Sequence, residues 1–253
     1  MTERYLGSII SPSPTEPSSN VSTATASGVW NIHDPLIFGQ AGDWPDPTNT
    51  PSVGLFMGGY SGSSAVNIVD KIVPETAGDA TDFGDLSTVR YLGAGFSSDT
   101  RAIIAGGVDS SGKDIIEYFT FASAGNATDF GDQSAVSYGG AGFSNNVRGV
   151  FNLGFQGSSV SNIIEYVTIA STGNSIDFGD LASATTYMGG LSSSTRGVFG
   201  GGYISSQTNV ISYITIASTS NTTDFGDLTV ARQYTTGASN NTRGIFFGGS
   251  TSS

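Results

Sequence analysis

The chain has 253 residues; 36 are glycine, 12% are charged, and nine Lys and Arg face 21 Asp and Glu for a net charge of −12. That balance argues against neutralising nucleic-acid phosphates or seeking an anionic membrane surface. With no cysteine and one histidine, His33, the chain also lacks the means for disulfides, thiolate metal sites, cysteine nucleophiles and multi-histidine centres.

The first fifty residues carry no repeat. Ser11-Pro12-Ser13-Pro14-Thr15-Glu16-Pro17-Ser18-Ser19 reads as an extended Pro/Ser linker with no core of its own. Two apolar pieces follow, Ala26-Ser27-Gly28-Val29-Trp30-Asn31-Ile32 and Ala41-Gly42-Asp43-Trp44-Pro45, and they hold both tryptophans. Residues 1–50 are expected to be an extended N-terminal anchoring arm with Trp30 and Trp44 at its interface; a cap packed on the remainder is the competing reading. The start, Met1 to Leu6, lacks a basic segment leading into an apolar stretch, and no apolar run is long enough to span a bilayer.

From residue 51 onward the chain repeats. Asp-Phe-Gly-Asp begins at Asp82, Asp129, Asp177 and Asp224, so successive spacings are 47, 48 and 47. An arginine preceding a short apolar strand keeps the same period at Arg101, Arg148, Arg196 and Arg243. A third feature is an apolar run closing on glycine, with five copies that end near Gly59, Gly107, Gly154, Gly202 and Gly249. Each unit reads as four short strands. In the third unit these are Tyr138–Phe143, Gly149–Gly154, Ile163–Ile169 and Ile176–Asp180. In the third strand Ile164, Tyr166 and Thr168 alternate with Glu165, Val167 and Ile169. Glycine is too frequent, and a helical apolar stripe too absent, for helices.

Four strands at this period predict an all-β propeller, because one small sheet cannot bury both faces alone and stacking buries them. The strand preceding the glycine pair is expected to lie where backbones crowd together. The first unit lacks its first strand and the last ends after its second. The prediction is five blades over residues 51–253, the last completed by the N-terminal segment or a neighbouring chain, with four blades as the alternative.

The order of these features resembles the kelch repeat: a small strand, an apolar strand ending in Gly-Gly, a strand with a tyrosine (Tyr118, Tyr166, Tyr213), then an aromatic at Phe83, Phe130, Phe178 and Phe225. Kelch repeats usually carry tryptophan where these phenylalanines stand. A second resemblance rests on Tyr5-Leu6-Gly7-Ser8-Ile9-Ile10-Ser11, the two tryptophan segments, and a repeat consensus with Thr-Asp-Phe-Gly-Asp-Leu and Asn-Asn-Thr-Arg-Gly. These are similar to segments of tailed-bacteriophage virion proteins, including kelch-like repeat proteins of marine phages and cyanophages. The resemblance implies a non-enzymatic virion protein of a displayed, tail-fibre type that contacts host glycans or a receptor. Other virion proteins would be its partners through the arm, and homo-oligomers are common among such fibres. A head decoration protein is the alternative, and a glycan-active enzyme or a cellular kelch scaffold are the readings from other classes.

The residues themselves suggest limited chemistry. Asp-Phe-Gly is a kinase signature only beside a phosphate loop, a strand lysine in the right context and a His-Arg-Asp loop, and the sequence offers none of these. The local reading is a turn in which the aspartate caps, the phenylalanine plugs the core between blades and the glycine takes positive φ. The repeated aspartates could instead gather calcium, although no Asp-x-Asp-x-Asp loop exists, or pair with the repeated arginines between blades. No catalytic residue and no resident cofactor is expected. Tyr60 and Tyr203, each following a glycine pair, are the candidate ligand-contact residues, with packing at a strand end as their alternative role.

Overall fold

The computed structural model describes residues 52–251; the expected arm, with Trp30, His33 and Trp44, lies outside them. Two compact units are distinguished, one of which includes Ser52 and Val73–Ala77. Within it the Ser52 amide donates to the Glu75 carboxylate at 3.2 Å. The other, Val53–Ile72 and Gly78–Ser253, holds every strand described below.

Among the described residues there is no helix. The first sheet is β1 (Gly54–Ser61), β2 (Ser64–Ile72) and β3 (Thr81–Asp85), in that spatial order. The second is β4 (Ala94–Ser97), β5 (Arg101–Ala105), β6 (Lys113–Thr120) and β7 (Thr128–Ser137). The third is β8 (Gly142–Ser144), β9 (Arg148–Asn152), β12 (Ile163–Thr168) and β13 (Ile176–Asp180), with a small hairpin, β10 (Phe155–Gln156) and β11 (Ser159–Val160), between its two central strands. The fourth is β14 (Gly189–Ser192), β15 (Arg196–Gly200), β16 (Val210–Thr215) and β17 (Thr223–Asp227); the fifth is β18 (Thr236–Ser239) and β19 (Gly244–Phe247). All pairings within these sheets are antiparallel between strands consecutive in the repeat. The result is a propeller-like series of small all-β meanders.

Both faces of an internal sheet are apolar because each meets a neighbour. Phe96 and Ile103 of the second sheet share a buried cluster with Phe151, Val167 and Ile169 of the third. Phe143 and Val150 of the third meet Phe199, Ile214 and Ile216 of the fourth in the same way. The strand alternation read from the sequence is therefore real, but neither face of Ile163–Thr168 is a solvent face: Ile164, Glu165 and Val167 are all buried.

The Asp-Phe-Gly-Asp motif lies in strands, as read for Ile176–Asp180, and its glycines take the expected positive φ, from 133° to 150°; the turn reading of the motif is what the structure corrects. The motif occupies an outer strand of each of the first four sheets, and in the third the register shifts between Ile164 and Glu165 opposite it, a β-bulge. Its phenylalanine does plug the inter-sheet core in three copies: Phe83, Phe130 and Phe178 are 3%, 2% and 1% exposed. Phe225 departs from that expectation at 56% exposure, because the two-stranded fifth sheet has no strand to cover it.

Three recurring devices join consecutive sheets. The loop asparagine before each outer strand accepts from the preceding motif: Asn126, Asn174 and Asn221 side-chain oxygens take the amides of Asp85, Asp132 and Asp180 at 3.1, 3.0 and 3.0 Å. The first strands are laced by serines, with Ser144 Oγ donating to the Ser97 carbonyl, Ser192 Oγ to that of Ser144 at 2.7 Å, and Ser239 Oγ to that of Ser192 at 2.6 Å. The second glycine of three pairs donates its amide across to the next connection: Gly59 to the Arg90 carbonyl at 2.9 Å, Gly107 to Ser137 at 2.9 Å and Gly202 to Arg232 at 2.8 Å. The crowding expected at the glycine pair is thus with this connection: a Cβ on Gly58 would lie 2.5 Å from the same carbonyl oxygen.

Candidate functional site

The connections that lead into the first strands β4, β8, β14 and β18 converge through their main chains. The Gly139 amide donates to Leu92, Tyr187 to Gly139, and Tyr234 to Tyr187, each at 2.8 Å. The Thr186 hydroxyl adds a bond to the Gly139 carbonyl at 3.0 Å. These four positions share one place in the repeat, and all take left-handed backbone: Gly139 at φ 73°, Leu92 at 58°, and Tyr187 and Tyr234 both at 56°. For a bulky residue that conformation costs about 1–3 kcal/mol and persists only where surrounding structure holds it.

The strained backbone presents aromatic rings. Tyr187 and Tyr234 lie 4.3 Å apart between centroids, Phe155 lies 5.5 Å from Tyr187, and Tyr138 stacks on Phe155 at 5.2 Å. Tyr234 is exposed while Tyr138, Phe155 and Tyr187 are half-buried, so the group is anchored yet open to solvent. Burial pushes the Tyr187 hydroxyl well above the usual tyrosine range, helped by the adjoining Tyr234 hydroxyl and then by the phenols of Tyr138 and Tyr91. The cluster is a patch of ring faces with phenol hydroxyls among them.

Tyr60 joins this end of the molecule. It is exposed, donates its hydroxyl to the Ser63 carbonyl at 3.1 Å, and meets Tyr91 edge-on at 5.1 Å. Tyr203 is half-buried, held by bridges to Thr186 and Gln207, outside those ring contacts. Sequence reasoning missed Tyr91, Tyr138, Tyr187 and Tyr234. The signal was there in two pairs, 91 with 138 and 187 with 234, each one repeat apart, but the pairs occupy adjacent repeat positions.

The expected Asp–Arg pairing between repeats is corrected by the structure. Arg101, Arg148 and Arg196 lie over the rings of Tyr118, Tyr166 and Tyr213 at 4.4, 4.6 and 4.5 Å. Arg101 and Arg148 also donate to the Ile169 and Ile216 carbonyls of the following sheet, at 2.9 and 3.1 Å. Arg243 is exposed. Asp82, Asp129, Asp177 and Asp224 are exposed on their edge strands. Among the described residues no three His, Cys, Asp or Glu side chains gather as a metal site, so the repeated aspartates do not converge on a calcium ion.

A buried ion pair stands where the sequence suggested none. Arg90, fully buried, pairs through Nη2 with Glu117 and donates from Nη1 to the Ile115 carbonyl at 3.4 Å. Glu117 also accepts the Ser87 amide at 3.2 Å. Burial lowers the Arg90 pKa, and Glu117 opposes that shift. Both groups are sealed from solvent, so the pair fixes the connection into β4 rather than forming an accessible site.

No protein-family model matches the chain, and neither does any curated protein. Among solved structures it is similar to that of YjhT, at a TM-score of 0.68 and 12% identity, over 79% of this chain and 74% of that one. At that identity the likeness concerns the fold alone.

Proposed function

We propose that this chain is a non-enzymatic bacteriophage virion protein, a displayed appendage whose tyrosine cluster contacts neutral glycans on the host surface. The five sheets are then five blades of a kelch-like propeller. The observation that carries the binding reading is the juxtaposition of Tyr187 and Tyr234 in left-handed backbone, ring against ring. Strained, bulky residues held open to solvent are what a binding surface requires and what simple packing avoids. Ring faces suit the apolar C–H faces of a pyranose, and neighbouring phenols supply directional hydrogen bonds. A net charge of −12 favours a neutral ligand over an anionic one. Many copies on a particle would turn weak single contacts into firm attachment. The virion assignment is supported by the sequence resemblance of the first segment and of the repeat.

A glycan array probed with the purified full chain tests the binding reading. Retention on neutral glycans is expected, with loss on Tyr234→Ala and an unchanged melting temperature. No retention by the natural chain, or retention indifferent to Tyr187→Ala and Tyr234→Ala, would overturn it; release of cleaved sugar would make the protein an enzyme. Immunogold labelling of purified particles tests the placement. Label on tail fibres is expected, label over the head would make the chain a decoration protein, and no label would remove the virion assignment.

A further inference from the structure

Among the described residues, both halves of one more inter-sheet junction stand uncovered. At the three internal junctions that follow the second, third and fourth sheets, the second strand turns an aliphatic residue forward: Ile103, Val150 and Val198 are buried there, while Leu55 at the same position in the first sheet is half-buried. The same repeat position in the fifth sheet is Ile245, 63% exposed. In the second, third and fourth sheets the residue that faces backward is Ile104, Phe151 or Phe199, all buried. In the first sheet it is Phe56, 61% exposed. Phe247 extends the open forward face, and Ile68 extends the open backward one.

We infer that these two faces pack against each other between successive copies of this chain. The match is set by the repeat. The forward face of the fifth sheet presents the residue types that elsewhere lie under a neighbour, and the backward face of the first sheet is the kind of surface that covers them. The junction would continue the series of contacts already made within the chain. Among the described residues both faces stand exposed, so neither covers the other. The fifth sheet is also only a hairpin, and a two-stranded hairpin is marginal without a packed partner. Because the two faces differ, the contact is heterologous: it propagates head to tail and ends only if a ring closes. Each copy carries net charge −12, so association is expected to strengthen as salt screens the repulsion.

Sedimentation of the full chain over a range of concentrations, at low and high salt, reads the outcome. Reversible oligomers are expected, larger at high salt. Phe56→Glu alone and Ile245→Glu alone should each be monomeric. Mixed in equal amounts they should form a heterodimer and nothing larger, since one intact junction remains. Both positions are exposed, so an unchanged circular-dichroism melt should confirm folding, and Ile245→Thr provides a milder form of the same block. A natural chain that stays monomeric throughout would mean the faces are covered from within the chain and would overturn the inference. So would oligomers indifferent to both variants, or mixed variants that remain monomers.

Discussion

A Cβ on Gly131 would lie 2.5 Å from the carbonyl oxygen of Gly173, in the loop that the third sheet presses onto the second. The glycine of the motif is there because another main chain passes over it. Gly226 has a similar φ, 133° against 146°, but nothing within 4 Å of its Cβ position. Gly131→Ala and Gly226→Ala share the backbone strain and differ in the clash. Gly131→Ala is expected to be the more destabilising by about 1–3 kcal/mol, read from urea unfolding of the two variants. Equal losses would place the cost in φ alone.

The motif phenylalanine gives a second paired comparison. Phe178 is 1% exposed and Phe225 56% exposed at the same repeat position. Phe178→Ala should cost about 3–5 kcal/mol. Phe225→Ala, in dilute monomer, should stay within about 0.5 kcal/mol of the natural chain. Equal effects on thermal unfolding would contradict the difference in cover between the two junctions.

The Arg90–Glu117 pair is sealed on both sides. Glu117→Ala would leave a guanidinium buried without its carboxylate, at a cost of about 3–5 kcal/mol. The double replacement Arg90→Met with Glu117→Leu should recover most of that loss, since no uncompensated charge remains. Chemical denaturation of the natural chain, Arg90→Met, Glu117→Leu and the double variant measures the coupling; additive losses would show that the two side chains act independently.

Tyr187 should titrate late. Its hydroxyl is held above the ordinary value, chiefly by burial. In the unfolded chain it ionises near pH ~10, while in the folded chain it keeps its proton to higher pH. The group therefore contributes stability that is fully present below about pH 10 and is lost as pH rises from there through the folded value. Absorbance titration near the phenolate band should show a late-ionising tyrosine that disappears in Tyr187→Phe. A titration unchanged by that substitution would place the protected phenol elsewhere.

The period made the order of strands legible, and the span Ile176–Asp180 of β13 could be read directly. That the first and last described sheets hold three and two strands was legible too, from five copies of one feature against four of the others. What the arginines do was not. Arg101 pairs across its strand with Thr120, and Tyr118 pairs with Ile103, so arginine and tyrosine are diagonal neighbours on one face. The aspartates stand one strand further out, on the edge, where water serves them. Register decided the partner, and register is a property of the folded sheet. The tyrosine cluster stayed hidden for a similar reason. Tyr138 and Tyr187 sit at different repeat positions and meet only because Tyr187 takes left-handed backbone and Phe155 fills the space between them.

The serine lacing of Ser97, Ser144, Ser192 and Ser239 reaches main-chain carbonyls, an acceptor that every residue type carries. Each link connects residues one repeat apart and asks nothing of the repeats beyond. A gene that duplicates one whole unit in frame would therefore gain a complete new junction and break none. An insertion of half a unit would put glycines under clashes and serines out of reach. Lineages of such a chain are free to change in length, but only in steps of about one repeat.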